Sequence, residues 1–371
     1  MRTAAVVMEC NPFHAGHQYI LNEAKRITEC EALLVILSPD FVQRGESAVY
    51  PKEQRTEVLL KAGADLVLEL PAAWACGSAE YFAAGAMGAA AKTGVVTDLV
   101  FGSETGDRNA LLRAAAVLKE EPASYKEALR RALAAGLSFP AAMEQGLAAS
   151  DALPPSGPND TLALQYLRFL PEGIAFHPVP RIRTESASEI RRQMRGKICI
   201  TPDDFSQALH YRLLQETDLT RYADVAEDLA NRIENQLPDY RGFEDFVRRI
   251  SSRNVTGTRV SRALLHILLQ ITDEDVSAWV AAGRIGYLRV LGIGKEGDSL
   301  LKEIRNKASV PLIMRPSALP AIAPEFSTLW ALDCFASRLY DGTALWKFGA
   351  DSESFPVFPG LNEAAKPILR L

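Results

Sequence analysis

The stretch Asn11-Pro12-Phe13-His14-Ala15-Gly16-His17 determines which fold this sequence predicts. It follows an apolar run over residues 4–8 that predicts a strand, and it precedes residues 18–28, whose apolar side chains recur at helical spacing. The first N–H groups of a helix lack backbone partners and carry partial positive charge, so a strand-to-helix turn favours phosphate binding. At such a site His14 and His17 would donate hydrogen bonds to phosphate oxygens as negative charge builds on them.

The first half of the chain continues to alternate strands and helices. Further strands are predicted at residues 33–37, 66–70, 99–101 and 174–179, with helical patterns between them. This order predicts a doubly wound parallel sheet, whose ligand binds at the carboxyl ends of the strands. The residues expected at those ends are His14, Asp40, Glu69 and Gly102. After about Arg195 the strand pattern stops, and the chain is expected to be mainly helical, with helices at residues 203–215, 223–235, 243–250, 260–271 and 298–307.

Size and composition narrow the class of protein. The chain has 371 residues, enough for two domains, and its 48% hydrophobic and 23% charged residues are ordinary for a globular protein. The net charge is −5, so any contact with nucleic acid must use a local basic patch. No apolar run approaches the roughly 20 residues that a membrane helix needs, and no signal peptide precedes the first strand. We therefore expect a cytoplasmic protein without membrane contact.

The cysteines predict neither a metal site nor a disulfide framework. They are scattered, without a Cys-x-x-Cys pair and without a histidine close enough in sequence to complete a zinc site. We expect free, mostly buried thiols in a reducing compartment, and we interpret Cys10 as a packed strand end rather than a pocket residue. The positions are Cys10, Cys30, Cys76, Cys199 and Cys334.

Longer segments carry a resemblance to a known family. With the His-x-Gly-His motif after the first strand, the chain resembles the HIGH-type nucleotidyltransferases, which include class I aminoacyl-tRNA synthetases and cytidylyltransferases. Within them it resembles the bacterial tRNA(Met) cytidine acetate ligases over nearly its whole length. The segments are Phe-Val-Gln-Arg-Gly-Glu at 41–46, Gly-Ala-Asp-Leu-Val-Leu-Glu-Leu-Pro at 63–71, Phe-Gly-Ser-Glu at 101–104 and Ala-Leu-Leu-His-Ile-Leu-Leu at 263–269.

The resemblance implies a fold and an activity. The fold would be α/β, with a Rossmann-like HIGH nucleotidyltransferase domain built on a parallel sheet over residues 1–195 and a mainly helical, tRNA-binding domain over residues 196–371. The activity would be ATP-dependent formation of acetyl-adenylate from acetate, followed by transfer of acetyl to N4 of the anticodon wobble cytidine of elongator tRNA(Met). ATP would act as a substrate together with Mg²⁺, and no zinc or organic cofactor is expected. The oligomeric state is left open.

The resemblance also implies the roles of particular residues. His14, His17 and Arg191 would be catalytic, with Arg191 holding the leaving pyrophosphate. Arg191 belongs to residues 186–192, which are similar to the family's Ser-Ala-Thr-x-Ile-Arg signature, although Ser188 stands where threonine is frequent. The residues that would contact ATP are Val7, Met8, Asn11, Pro12, Phe13, His14, Gly16, His17, Ile20, Gly102, Asn159, Arg181, Ser186 and Ser188.

Several of these assignments have structural alternatives. Gly102 could simply make a turn, and Asn159 with Asp160 could cap a helix. Arg181 could form a surface salt bridge with Glu185, and residues 186–192 could be an N-capped surface helix with ordinary arginines.

Charged residues elsewhere have open interpretations as well. Gln43-Arg44-Gly45 and the pair Lys52 and Arg55 form a second basic set. Lys52 and Arg55 would either neutralise phosphate or carboxylate charge or form a solvated helix face. Glu69 and Glu104 would either help hold Mg²⁺ or bond to neighbouring loops. The family's loop after the second strand has Gly-Asn where this chain has Pro39-Asp40, which puts a phosphate contact from Asp40 in doubt.

The second half carries a cluster of arginines that suits an RNA backbone. Since aromatic side chains are sparse among them, the cluster predicts phosphate contact rather than base stacking. A solvated helix face is the alternative. The predicted tRNA-binding residues are Arg248, Arg249, Arg253, Arg259 and Arg262.

Two other functions remain open at this point. One is a small-molecule nucleotidyltransferase of the coenzyme A or NAD type, against which the long helical second half argues. The other is a non-catalytic RNA-binding protein on the same fold, against which the intact His14, Gly16 and His17 argue.

Overall fold

The computed structural model describes residues 1–194, 198–252, 255–314, 321–349, 366 and 368–371. Its strands are β1 (Thr3–Met8), β2 (Ala32–Leu37), β3 (Phe41–Val42), β4 (Glu46–Ser47), β5 (Leu66–Glu69), β6 (Asp98–Ser103), β7 (Ala175–Pro180), β8 (Leu288–Ile293), β9 (Leu312–Ile313) and β10 (Leu369–Arg370).

Helices surround the sheet and make up most of the second half. They are α1 (Ala15–Thr28), α2 (Lys52–Lys61), α3 (Ala72–Ala75), α4 (Ala79–Thr93), α5 (Arg108–Glu120), α6 (Ala123–Ala134), α7 (Phe139–Ala148), α8 (Pro158–Phe169), α9 (Ala187–Met194), α10 (Ser206–Gln215), α11 (Glu227–Gln236), α12 (Phe243–Ile250), α13 (Gly257–Leu269), α14 (Asp273–Ala281), α15 (Gly297–Lys307) and α16 (Ser327–Phe348).

The predicted parallel sheet is confirmed. Its strands lie in the order β5-β2-β1-β6-β7, and every neighbouring pair in that series is parallel. The first unit, β1-α1-β2, pairs residue by residue from Thr3 with Ala32 to Met8 with Leu37. Because the strands are parallel, all of their carboxyl ends meet at one edge, where the turn containing His14 lies.

The expectation that strands stop after Arg195 is wrong. Strand β8 joins the sheet antiparallel to β5, and β9 and β10 each pair parallel to β8. The β8 segment, Leu-Arg-Val-Leu-Gly-Ile, is short and mostly apolar. Its periodicity therefore does not show whether it forms a buried strand or part of a helix. The prediction of a mainly helical second half otherwise holds, and the division into residues 1–195 and 196–371 stays a prediction.

Lys52 and Arg55 lie inside the protein rather than on a solvated face. The Nζ of Lys52 lies 2.8 Å from Glu69 Oε1 and 3.7 Å from Asp40 Oδ2, and all three side chains are buried. Ser337 of α16 bonds to both Lys52 and Asp40. This polar cluster joins α16 to the carboxyl ends of β2 and β5, so Asp40 serves the interior instead of a phosphate.

Arg55 also has a structural role. Its Nη1 donates to the backbone carbonyls of Glu9, at 2.7 Å, and Ser38, at 2.9 Å, while its Nε donates to Tyr50. It therefore connects the loops that follow β1 and β2, and neither open interpretation of this residue describes its position.

The cysteine prediction is confirmed, since all five thiols are free. Cys10 is buried, and burial raises the pKa of its thiol to about 12, so it is an inert packed residue. In the part of the chain that the structure describes, none of the helices combines the length and apolar character needed to cross a lipid bilayer.

Candidate active site

A cavity of about 800 Å³ opens at the carboxyl ends of β1 and β6. The turn before α1 forms one wall, through His14, Gly16 and His17, and Gly102 of β6 lies in another. A volume of this size is typical of pockets that enclose a nucleotide-sized ligand. The site predicted from the first strand-to-helix turn is therefore part of a real enclosure.

Two reciprocal hydrogen bonds fix the histidine pair. His14 is the N-cap of α1, and its Nδ1 accepts the N–H of Gly16 at 3.0 Å. The Nδ1 of His17 accepts the N–H of His14 at 3.2 Å, and the two ring centroids are 4.0 Å apart. A side chain on Gly16 would place its Cβ 2.8 Å from the His14 ring, so glycine is required for this packing. Since each Nδ1 accepts, each neutral ring carries its proton on Nε2 and keeps it as a donor.

Both histidines are held neutral. Burial, with the neighbouring His14 adding to it, lowers the pKa of His17 to about 3. Burial and then the positive charge of Arg181 lower the pKa of His14. At neutral pH the pair therefore presents two uncharged N–H donors to the cavity, which suits them to stabilise charge that develops on a phosphate.

The low pKa of His17 predicts a pH dependence of stability. An unfolded histidine binds a proton near pH 6.5, whereas folded His17 does not, so the free energy of unfolding falls as the pH drops from about 6.5 towards 3. When the pH falls from 6.5 to 5.5, the free energy of unfolding of the parent protein should decrease by about 1 kcal/mol more than that of His17→Gln. Urea unfolding at the two pH values measures this difference, and equal losses in both proteins would contradict the assignment.

Gly102 does not make a turn, so that alternative is wrong. It lies within β6 and pairs in register with Val179 of β7. An added Cβ would meet only one atom of the described residues within 4 Å, Ile20 Cδ1 at 3.6 Å, and Ile20 itself lines the cavity. The fold therefore has room for a side chain here, and that side chain would take space from the cavity.

The start of α8 is capped by Glu104, not by its own residues. Gly157 is the N-cap; Oε1 of Glu104 accepts the backbone N–H and the Nδ2–H of Asn159, and its Oε2 accepts the N–H of Asp160. Asp160 in turn accepts from the N–H of Glu104 at 2.9 Å and from the Ser103 hydroxyl. The expectation that Asn159 and Asp160 cap the helix is therefore wrong, and the network fixes Asn159 in the cavity wall.

Arg181 also has a different partner from the expected one. Its Nη1 lies 3.4 Å from Glu104 Oε1, rather than pairing with Glu185. It lines the cavity, and its charge acts on His14. This is the placement that a phosphate-contacting arginine requires.

The second predicted signature meets the first in space, which the sequence could not show. Arg191 of α9 donates from Nη1 to the backbone carbonyl of Asn11 at 2.7 Å, and its Nη2 lies 3.1 Å from Glu46 Oε2 and 3.3 Å from Ser188 Oγ. The guanidinium therefore anchors the motif turn to the β3–β4 hairpin. Its contact with the leaving pyrophosphate stays a prediction.

The predicted ATP residues divide into two groups. Those that line the cavity are Val7, Met8, His14, Gly16, His17, Ile20, Gly102, Asn159 and Arg181. Those that are not among the lining residues are Asn11, Pro12, Phe13, Ser186 and Ser188. Asn11 illustrates the second group, because it is buried and its Oδ1 accepts the N–H of Val49.

The strand-end acids bond to protein groups. Glu69 pairs with Lys52 and with Arg289, whose Nε lies 3.0 Å away, and Glu104 caps α8. Among the described residues, no group of three or more His, Cys, Asp or Glu side chains is arranged to hold a metal ion. Both carboxylates therefore bond to neighbouring protein groups, which was the alternative to holding Mg²⁺.

Part of the predicted arginine cluster lines the cavity. Arg259 and Arg262 project from the first two turns of α13 into the cavity wall, and Arg262 pairs with Asp224 at 3.1 Å. Arg248 and Arg249 lie on α12, both paired with Asp245. Arg253 lies outside the described residues. The cavity thus has a basic part formed by α13, and Arg248 and Arg249 are not among its lining residues.

Three further groups line the cavity, of which the sequence had indicated only Gln43 and Arg44, as part of a second basic set. Glu9 follows β1 directly, Gln43 and Arg44 lie in the β3–β4 hairpin, and Thr256 and Thr258 begin α13. The hairpin reaches the cavity because Gly45, at φ +72°, packs its backbone against α13 and accepts a hydrogen bond from Ser261. For Glu9 a signal was available, since it lies between the predicted strand and the motif.

Comparison with known proteins agrees with this geometry. The family model described as HIGH Nucleotidyl Transferase matches residues 1–199 and 184–351. By fold and by site, the chain is therefore a member of the HIGH nucleotidyl transferases.

Individual relatives define the branch. The tRNA(Met) cytidine acetate ligase of Acetivibrio thermocellus is 33% identical, with 92% of this chain and 94% of the relative covered. That of Syntrophomonas wolfei is 32% identical over 97% of this chain and 100% of the relative. The chain belongs to the tRNA(Met) cytidine acetate ligase family.

A solved structure is similar over the whole chain. The crystal structure of Thermotoga maritima TmcAL bound with alpha-thio ATP superposes with a TM-score of 0.90 at 27% identity, covering 100% of both chains. The apo structure of the same protein also gives a TM-score of 0.90, at 26% identity.

Proposed function

We propose that this chain is an ATP-dependent tRNA(Met) cytidine acetate ligase. The observation that carries the proposal is the pair of Nε2–H donors on His14 and His17 in a cavity that Arg259 and Arg262 also line. One enclosure thus offers donors for the phosphates of ATP and cations for an RNA backbone. The relatives' names and the alpha-thio ATP bound to the Thermotoga protein support ATP, acetate and tRNA(Met) as the substrates.

In the first step an acetate oxygen attacks the α-phosphorus of ATP. The bond to the β-phosphate breaks, pyrophosphate leaves, and acetyl-adenylate remains. Charge builds on the α-phosphate oxygens, where His14 and His17 would donate, while Arg181 and then Arg191 would attract the leaving pyrophosphate. Since acetate is the nucleophile, the protein supplies position and charge rather than a covalent intermediate.

In the second step the exocyclic amine of cytidine attacks the acetyl carbonyl and AMP leaves. The base must leave its stack to enter a cavity of about 800 Å³. Arg259, Arg262 and Arg44 would hold the backbone phosphates that flank it. Mg²⁺ would accompany ATP through phosphate and water oxygens, because the nearby carboxylates of Glu69 and Glu104 already bond to protein groups.

The direct test is incorporation of acetate into RNA. Purified protein with ATP and ¹⁴C-acetate should label elongator tRNA(Met), and hydrolysis should yield N4-acetylcytidine. Labelling of the other tRNAs should be absent. An ATP-dependent label on a small phosphate ester, with no label on tRNA, would contradict the proposal.

Gly102→Val tests whether ATP lies against β6. Valine suits a strand, and Cβ has space, so thermal unfolding should change by no more than a few degrees. The added methyl groups enter the cavity, so we expect ATP to bind at least about tenfold more weakly, or 1.4 kcal/mol. Calorimetric titration measures the affinity. A folded variant with unchanged ATP affinity would place the nucleotide elsewhere.

Arg259→Ala and Arg248→Ala form a matched pair for the RNA surface. Arg259 lines the cavity and has no ion pair among the described residues, whereas Arg248 is 70% exposed and bonds to Asp245. We expect the Arg259 change to reduce the slope of log affinity for tRNA against log salt by about 0.7 to 0.9, as one lost phosphate contact does. The Arg248 change should leave the slope nearly constant. Fluorescence anisotropy over a salt series distinguishes them, and the reverse ranking would place the RNA on α12.

A further inference from the structure

Glu9 is an acidic side chain held at the inner end of the cavity. It directly follows β1, and its Oε1 accepts the N–H of Gln43 at 2.8 Å. Its backbone carbonyl accepts from Arg55 at 2.7 Å. Both the backbone and the carboxylate of this residue are therefore fixed, the first by α2 and the second by the β3–β4 hairpin.

One carboxylate oxygen of Glu9 remains available to a ligand. Within the described part of the chain, no protein group donates a hydrogen bond to its Oε2. This oxygen is also not one of the fully buried side-chain atoms that lack a hydrogen-bond partner. The only other acid in the cavity lining, among those residues, is Glu80, which pairs with Arg168 at 3.2 Å. Each of the two acids keeps one carboxylate oxygen without a protein donor among the described residues, but the Glu80 side chain is 50% exposed and ion-paired, whereas the Glu9 carboxylate is held by a backbone N–H and has no ion pair there.

Charged and titratable groups from several elements surround Glu9. Burial raises its pKa, and the Gln43 N–H, then Arg44, oppose that rise. On the other side, burial and then the charge of Glu9 raise the pKa of Tyr166. The charged and titratable groups that face Glu9 are Arg44 and Glu46 of the β3–β4 hairpin, Arg191 of α9, Tyr166 of α8, and Cys10 and Cys76.

Beyond Glu9 the cavity has an aromatic wall. The rings of Phe82 and Phe101 pack against Tyr166, with centroids 6.5 Å and 5.9 Å apart, and all three residues line the cavity. A planar base suits such a wall, and a carboxylate is the group that accepts from the exocyclic amine of cytosine. The cavity therefore combines an acid, an aromatic wall and phosphate donors. This combination suits a cytosine whose exocyclic amine reacts with an adenylate.

We propose that Glu9 accepts a hydrogen bond from the exocyclic amine of the target cytosine through Oε2 and takes its proton during acetyl transfer. This inference rests on the proposed function. The N4 lone pair forms the new bond to the acetyl carbon, and the bond from that carbon to the AMP phosphate oxygen breaks with its electron pair on AMP. The N4 proton passes to the Glu9 carboxylate, which later releases it to solvent. The amine is a weak nucleophile, so removing its proton as the bond forms lowers the barrier.

Glu9→Gln tests the role by separating the two half-reactions. Glutamine keeps the shape and the bond to the Gln43 N–H but cannot take a proton. Formation of acetyl-adenylate is measured by acetate-dependent ATP–pyrophosphate exchange, and transfer by single-turnover labelling of tRNA(Met) from preformed acetyl-adenylate. We expect transfer to fall about 100-fold more than exchange, as the loss of a general base does. The transfer rate of the parent protein should rise with pH through a pKa above the usual glutamate range, and Glu9→Gln should lack that rise.

Controls make each outcome decisive. Glu80→Gln removes the other cavity acid and should change the two half-reactions by similar, small factors. Glu9→Asp restores a carboxylate and should recover part of the pH-dependent transfer. If Glu9→Gln is folded and transfers normally, or loses exchange and transfer equally, Glu9 only shapes the pocket and the inference is overturned. If the parent protein itself gives no acetate-dependent exchange, the proposed function fails first and the inference with it.

Discussion

Replacing His14 or His17 with alanine should lower the rate of acetyl-adenylate formation by about 10² to 10³, or roughly 3 to 4 kcal/mol. Each ring donates only from Nε2, because its Nδ1 accepts a backbone N–H. Burial keeps both rings neutral, so the donors are already in place and need no proton from solvent. ATP–pyrophosphate exchange measures the rate, and the loss should appear more in kcat than in the affinity for ATP.

A third histidine provides the control. His210 stacks on Tyr240 with centroids 4.6 Å apart and does not line the cavity. His210→Ala should leave the exchange rate close to that of the parent protein. If the His14 and His17 variants are folded and exchange as fast as His210→Ala, the α-phosphate does not bind at the turn before α1.

The second large effect concerns stability rather than catalysis. Lys52→Met should lower the free energy of unfolding by about 3 to 5 kcal/mol, the usual result of removing one partner from a buried ion pair. The change takes away the ammonium that lies 2.8 Å from Glu69 and 3.7 Å from Asp40, all within the interior. It also removes a bond to Ser337, so α16 loses a connection to the sheet. Urea unfolding followed by circular dichroism measures the loss.

Lys61→Met is the matched comparison. Lys61 is 62% exposed and pairs with Glu57 on the same helix, α2. Surface pairs of this kind contribute about 0 to 1 kcal/mol, so the second variant should be nearly as stable as the parent protein. Similar losses in the two variants would mean that the buried cluster has no special role in holding α16 against the sheet.

The elements that the sequence predicted well are those defined by local pattern. Strand β1, the turn with His14 and His17, and α1 follow one another along the chain, so hydrophobic periodicity and capping chemistry were enough to locate them. Strand β8 was missed because its assignment depends on pairing with β5, which is distant in sequence. The sequence of this six-residue segment alone does not predict that pairing.

Helix α16 was missed for a different reason. Asp333, Ser337 and Asp341 recur at helical spacing and are all buried, so polar residues occupy the positions that a pattern assigns to solvent. Their partners, such as the N–H of Ala72 and the hydroxyl of Tyr287 for Asp333, lie on other elements. A buried polar face satisfied by tertiary hydrogen bonds hides the amphipathic signal.

The residues of the site also fall into those that a local motif predicts and those that only the packing of distant elements brings to the cavity. The motif residues were identified from one continuous stretch, whereas Arg44 reaches the cavity only after the β3–β4 hairpin packs on α13. The two arginine pairs, on α12 and α13, looked like one cluster because they are close in sequence, but only the pair on α13 lines the cavity. Spatial proximity across elements is set by the fold, and a linear pattern does not encode it.

The central claim is adenylate formation at the His14–His17 turn, and acetate-dependent ATP–pyrophosphate exchange without tRNA tests it most directly. We expect exchange with acetate and none without a carboxylate, and we expect the exchange rate to fall by about 10² or more in His14→Ala and His17→Ala. Exchange that proceeds equally well in the folded histidine variants, or no exchange with acetate either with or without tRNA, would contradict it.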